Sequence, residues 1–66
     1  MSRDATFELA CHFIAETDNA ILICDPASDE EIWIPLSQVE EIHRDKGGET
    51  GRIIMTEWIA RKKGLK

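Results

Sequence analysis

A mainly β (α+β) fold is what this sequence predicts: a small curved antiparallel sheet, or an SH3- or OB-like barrel of four to five strands, closed by one C-terminal helix. Three observations carry that expectation. Phe7, Leu9, Cys11, Phe13 and Ala15 alternate with Glu8, Ala10, His12, Ile14 and Glu16, and a period of two places each set on one face of a strand. Short apolar runs recur between clusters of breaker residues. The last eleven residues carry a helix start, a helix stop and the matching charges at each end.

The elements follow in order. Thr17-Asp18-Asn19 reads as a three-residue hairpin loop, with Asn19 suited to a left-handed closing position. Ala20-Ile21-Leu22-Ile23-Cys24 is continuously apolar and fits a central strand. That loop sets Phe13 opposite Ile23, Ala15 opposite Ile21, and His12 opposite Cys24 on the other face. Asp25-Pro26-Ala27-Ser28-Asp29-Glu30 is a turn, and Glu31-Ile32-Trp33-Ile34 a third strand stopped by Pro35.

Residues 38–46 support two readings. Ser37 and Glu40 match a capping box, Val39 and Ile42 are three apart, and Gly47 suits a helix end. A two-residue apolar stripe is thin for an amphipathic helix, however. The preferred reading is a turn at Leu36–Gln38, a strand over Val39–Arg44, a glycine-containing loop, and a further strand at Arg52-Ile53-Ile54-Met55. Thr56 then caps a helix that runs to Lys63. Glu57 stands at its positive end, Arg61, Lys62 and Lys63 at its negative end, and Gly64 at C′. Two turns do not persist alone, so Trp58 and Ile59 are expected to pack on the sheet.

Sixty-six residues make one domain over residues 1–66, below the roughly 70–80 residues at which one core comfortably stabilises a fold. A staple or a partner would help such a chain. No apolar run reaches the roughly 18–20 residues of a membrane span, and the polar start shows no signal-peptide core. A cytoplasmic protein without a membrane partner is expected. Cys11 and Cys24 are too few for a disulfide scaffold. They read as reduced, buried thiols, with one cross-strand disulfide as the alternative.

The net charge of −5 is unevenly placed. Residues 1–50 hold three basic and twelve acidic side chains; residues 51–66 hold five basic and one acidic. An acidic body with a basic tail disfavours general phosphate binding.

The segments Ala20-Ile21-Leu22-Ile23, Glu31-Ile32-Trp33-Ile34-Pro35-Leu36-Ser37-Gln38-Val39 and Glu57-Trp58-Ile59-Ala60-Arg61-Lys62-Lys63-Gly64-Leu65 resemble small uncharacterised proteins of bacteriophages and prophages. The shared pattern is an apolar strand, a W-x-P-x-S-Q segment and a closing E-W-x-A-x-K-K-G-L helix. The likeness covers about two-thirds of the chain. It implies a bacterial cytoplasm and a phage or mobile-element origin, with no activity and no site residues.

The chemistry-bearing residues form no catalytic set. Cys11, His12, Cys24 and His43 lack zinc-site spacing, and the adjacent Cys11 and His12 point to opposite strand faces. Cys24 with His12 is the one thiol–imidazole pair, without a third group or an oxyanion hole. No cofactor motif occurs. The expectation is therefore a non-catalytic interaction module. It would bind a protein partner through Asp25, Asp29, Glu30, Glu31, Glu40 and Glu41, or associate with a second copy as a homodimer through a sheet edge. The alternative is a single-stranded nucleic-acid-binding barrel. There Trp33 and Trp58 would stack bases, and Arg52, Arg61, Lys62 and Lys63 would hold phosphates.

Overall fold

The structure, a computed structural model, describes residues 5–65. In chain order it contains β1 (Thr6–Glu16), β2 (Ala20–Asp25), β3 (Glu30–Pro35), a single 3-10 turn (Leu36–Gln38), β4 (Val39–Arg44), β5 (Thr50–Thr56) and α1 (Glu57–Lys62). The five strands form one antiparallel sheet in the order β3-β2-β1-β5-β4. Residues 39–44 are thus a strand, and the 3-10 turn before them has no side-chain cap bond.

One short connection shapes the sheet. β3 and β4 lie at its two edges, yet only Leu36–Gln38 joins them. Edges of a flat five-stranded sheet stand about 19 Å apart, whereas the link from Pro35 to Val39 reaches at most about 14 Å. The sheet therefore curls, although its edges do not pair. The Leu36 N–H donates to the Asn19 carbonyl at 2.8 Å, and this bond extends the β2–β3 ladder into the turn.

The concave side is the core. Cys11, Ile21, Ile23, Ile34, Ile53 and Met55 are buried there, with Ile59 and Ala60 of α1, and Phe7, Leu9, Phe13, Ile32 and Ile42 pack around them. Glu57 N–H donates to the Ala5 carbonyl at 3.1 Å, which fastens the start of α1 to the start of β1. Thr56 caps the helix by accepting from Ile59 N at 3.3 Å. The Gly64 N–H reaches Arg61 O at 3.1 Å, and the Leu65 N–H reaches Ala60 O at 2.8 Å. With Gly64 at φ +76° this is a Schellman ending, and it returns Leu65 to the core. Trp58 departs from expectation. Ile59 and Ala60 fill the face of α1 that meets the sheet, and Trp58 is left 59% exposed.

Two bulges explain where sequence and register part. Phe13 faces Ile23 and His12 faces Cys24, as the three-residue loop implies, but Ala15 faces Leu22 rather than Ile21. Ile14 is the extra residue, and it shifts the pairing by one so that Glu16 stands opposite Ile21. The loop is closed by Thr17, whose Oγ1 accepts from Asn19 N at 3.3 Å and Ala20 N at 3.1 Å. Asn19 does not take positive φ. In β4 the extra residue is Glu40, so Val39 and Ile42 both face inward, opposite Met55 and Ile53. Their spacing of three imitates a helix because a bulge lies between them.

The alternative of a cross-strand disulfide does not hold. Cys11 is buried in the core, whereas Cys24 is paired to His12, whose side chain is on the opposite face, and both thiols are free. Burial chiefly, with the charge of Asp25 adding and that of Arg44 opposing, pushes the Cys11 thiol from 9.0 up to about 11.

Two predictions follow from the core. A β-carbon on Gly51 would stand 2.0 Å from the His43 carbonyl oxygen of the neighbouring strand. Gly51→Ala should cost at least about 1–3 kcal/mol in urea unfolding, and an unchanged midpoint would contradict the close approach. Cys11 supplies a pH signature. The thiolate forms in the unfolded chain before it forms in the folded one, so its contribution is intact below pH 9 and falls as pH climbs towards about 11. Stability measured across that window should drop by about 2 kcal/mol, and Cys11→Ala should flatten that part of the profile.

Candidate interaction surfaces

The β2–β3 hairpin gathers four of the acidic residues. Asp25 organises the turn: its carbonyl accepts from Ser28 N at 3.2 Å and Asp29 N at 2.6 Å, and its Oδ1 accepts from Ala27 N at 3.0 Å. Asp29 closes it at φ +60°, a region that aspartate tolerates better than most residues. The result places Asp25, Asp29, Glu30 and Glu31 at one end of the sheet, with Asp25 opposite Glu30. Glu40 and Glu41 are not part of this cluster. They sit on β4, the other edge strand, where Glu41 Oε1 lies 2.7 Å from His43 Nε2.

The convex face beside the hairpin is mixed. Trp33, 44% exposed, pairs with Leu22, which pairs with Ala15. One step along, Glu31 pairs with Cys24 and Cys24 with His12. The bulged Ile14 is 48% exposed. An edge tryptophan and its apolar neighbours are thus adjoined by the carboxylates of the hairpin. The sequence signal for Ile14 was hidden, because strict alternation gives no sign of an inserted residue.

Cys24 and His12 come together across β1 and β2, but the chemistry runs against nucleophilic use. Cys24 Sγ lies 3.7 Å from Asp29 Oδ1. Its thiol is raised above 9.0 by desolvation first, then by the charge and hydrogen bond of Asp29 and by Glu31 and Asp25. A reactive thiol needs the opposite shift. Among the described residues no three His, Cys, Asp or Glu side chains cluster with the geometry to hold a metal ion.

The nucleic-acid set is divided by the fold. Trp58 lines a groove of about 690 Å³ with Ala5, Gln38, Thr56, Glu57, Arg61 and Lys62. Lys62 Nζ stands 5.3 Å from the Trp58 ring centre, within cation–π range. Arg61 donates to Glu57 Oε1 at 3.1 Å. Lys63 is the exposed C-cap. Trp33 does not line this groove, and Arg52 is elsewhere, on the convex face, donating to Glu8 Oε2 at 2.6 Å. Gln38 is a groove residue that the sequence did not point to, and Thr56, read there only as the helix cap, lines the groove as well. Thr56 Oγ1 donates to Gln38 Oε1 at 2.8 Å, tying the 3-10 turn to the helix cap. Arg44 is a further unforeseen contact: its guanidinium lies 4.5 Å above the Phe13 ring and donates to Glu16 at 3.2 Å.

No family model matches this chain, and no curated protein or solved structure matches it at a significant level. No helix among the described residues is long and apolar enough to cross a membrane.

The thiol geometry is open to test. Asp29→Asn removes the nearest negative charge from Cys24, so its thiolate fraction at neutral pH should rise and alkylation by iodoacetamide should quicken. Cys11, shielded by the core, should stay slow. Equal rates for Cys24 in the two proteins would show that Asp29 does not govern it.

Proposed function

We infer that this protein is a small non-catalytic interaction module which grips a partner protein at the β2–β3 hairpin. The observation that carries the reading is Trp33, a large apolar ring left 44% exposed on an edge strand beside Leu22 and next to Asp25, Asp29, Glu30 and Glu31. Exposed tryptophans rimmed by polar groups are the side chains most often found as binding anchors. The matching partner segment presents an apolar anchor flanked by lysine or arginine. Acidic charge at the rim would speed encounter and exclude acidic competitors more than it would add affinity. Support for a non-catalytic role comes from Cys24, whose raised thiol disfavours nucleophilic use. The likeness to small phage proteins supports a phage or mobile-element origin and a bacterial cytoplasmic setting, which neighbouring genes would test.

A second reading keeps part of the nucleic-acid set. The Lys62–Trp58 contact at the α1 groove favours it, because a stacking ring beside a cation suits a single-stranded base and its phosphate.

One experiment separates the two. In a Trp58→Phe background Trp33 is the sole tryptophan. Synthetic peptides combining leucine with lysine or arginine should perturb its fluorescence, and Asp29→Lys plus Glu31→Lys should abolish the response. Single-stranded DNA titrated against the unmodified protein in about 50 mM salt should have no effect. DNA binding that Lys62→Glu plus Lys63→Glu removes, with no peptide response, would replace the first reading by the second.

A further inference from the structure

We propose that the protein forms a two-fold symmetric dimer in which β4 pairs antiparallel with β4 of a second copy, centred on Ile42. This inference concerns the edge opposite the hairpin and stands apart from the reading of Trp33.

Both outer strands have one unpaired side among the described residues, but they are not equivalent. Asp45 N–H donates to Thr50 O at 2.8 Å in register with the β4–β5 ladder. Hydrogen-bonded and non-bonded pairs alternate in an antiparallel ladder. His43 therefore bonds towards β5, and the backbone groups of Ile42 and Arg44 point outward. The His43 carbonyl, lying against Gly51, agrees with this assignment. On β3 the bond from Leu36 N to Asn19 O fixes the opposite parity: Glu31, Trp33 and Pro35 point outward. Proline has no N–H to offer, and glutamate adds charge, so β3 is a blunted edge. β4 holds no proline. Its bulge at Glu40 sits at the start of the strand and leaves Glu41–Arg44 regular.

The charges on β4 select the register. With Ile42 opposite Ile42, Glu41 faces His43 of the other copy, twice over by symmetry. A slip of two residues one way sets His43 against His43 and Glu41 against Asp45. The other way sets Glu41 against Glu41. Like charges directly opposite are destabilising, so one register of the three is complementary. A two-fold axis through Ile42 makes the contact isologous, hence closed at two copies. Such strand addition would also supply the partner that a core this small lacks.

The test uses the full chain. Light scattering should give a dimer at millimolar concentration and a monomer on dilution. Amide hydrogen exchange at Ile42 and Arg44 should slow as concentration rises, while Trp33 and Glu31 exchange unchanged. His43→Glu should weaken self-association about tenfold or more, from the two like-charge pairs it makes with Glu41 at the interface, and Glu41→Lys should weaken it by removing the complementary pair. An equimolar mixture of those two variants should restore the dimer, since both cross-strand pairs become complementary. A monomer at every concentration overturns the proposal, as does a dimer that protects Trp33 and Glu31 instead. Should a variant fold poorly, the exchange measurement on the unaltered chain still decides.

Discussion

Everything in this fold depends on a short tether between distant edges. Three residues, Leu36–Gln38, carry the chain from β3 to β4 across a sheet whose order puts those strands furthest apart. A flat sheet is incompatible with that reach. Curling is therefore imposed by connectivity, and it creates the concave side on which a chain of this size can bury Ile21, Ile23, Ile34, Ile53 and Met55 completely. The tether is held at both ends, by Leu36 on Asn19 and by Gln38 on Thr56. Since Thr56 also caps α1, the curl of the sheet and the seating of the helix share one residue.

Much of this was legible from residue pattern. Strict alternation in β1, the proline stop after β3 and the Thr56-to-Gly64 helix signals correspond to elements in the structure. What was not legible has a common cause. Each bulge inserts one residue, and the alternation rule has no means to register it. Ile14 shifted the β1–β2 pairing by one beyond Phe13, and Glu40 made Val39 and Ile42 look like neighbours on a helix. The left-handed residue was likewise misplaced, because Thr17 closed its loop with a side-chain hydroxyl and left Asn19 in ordinary backbone.

The candidate surfaces were legible as residue types but not as groups. Six acidic positions looked like one patch along the chain, yet the strand order sends four to the hairpin and two to the opposite edge. The two tryptophans were likewise separated, one to the convex face and one to the helix groove. Arg52 and Arg61 each face a carboxylate, Glu8 and Glu57. The uneven charge of the sequence is therefore partly neutralised pairwise in the fold, and what remains distinctive is the hairpin tip, whose carboxylates form no ion pair among the described residues.

Pro35 ends β3 with its ring nitrogen turned away from the sheet. A chain with two open strand edges invites head-to-tail stacking, one molecule's β3 on the next molecule's β4, and such an arrangement grows without limit. A missing donor at one position interrupts that ladder at its first rung. The same residue that stops a strand within the molecule thus acts against fibre growth between molecules.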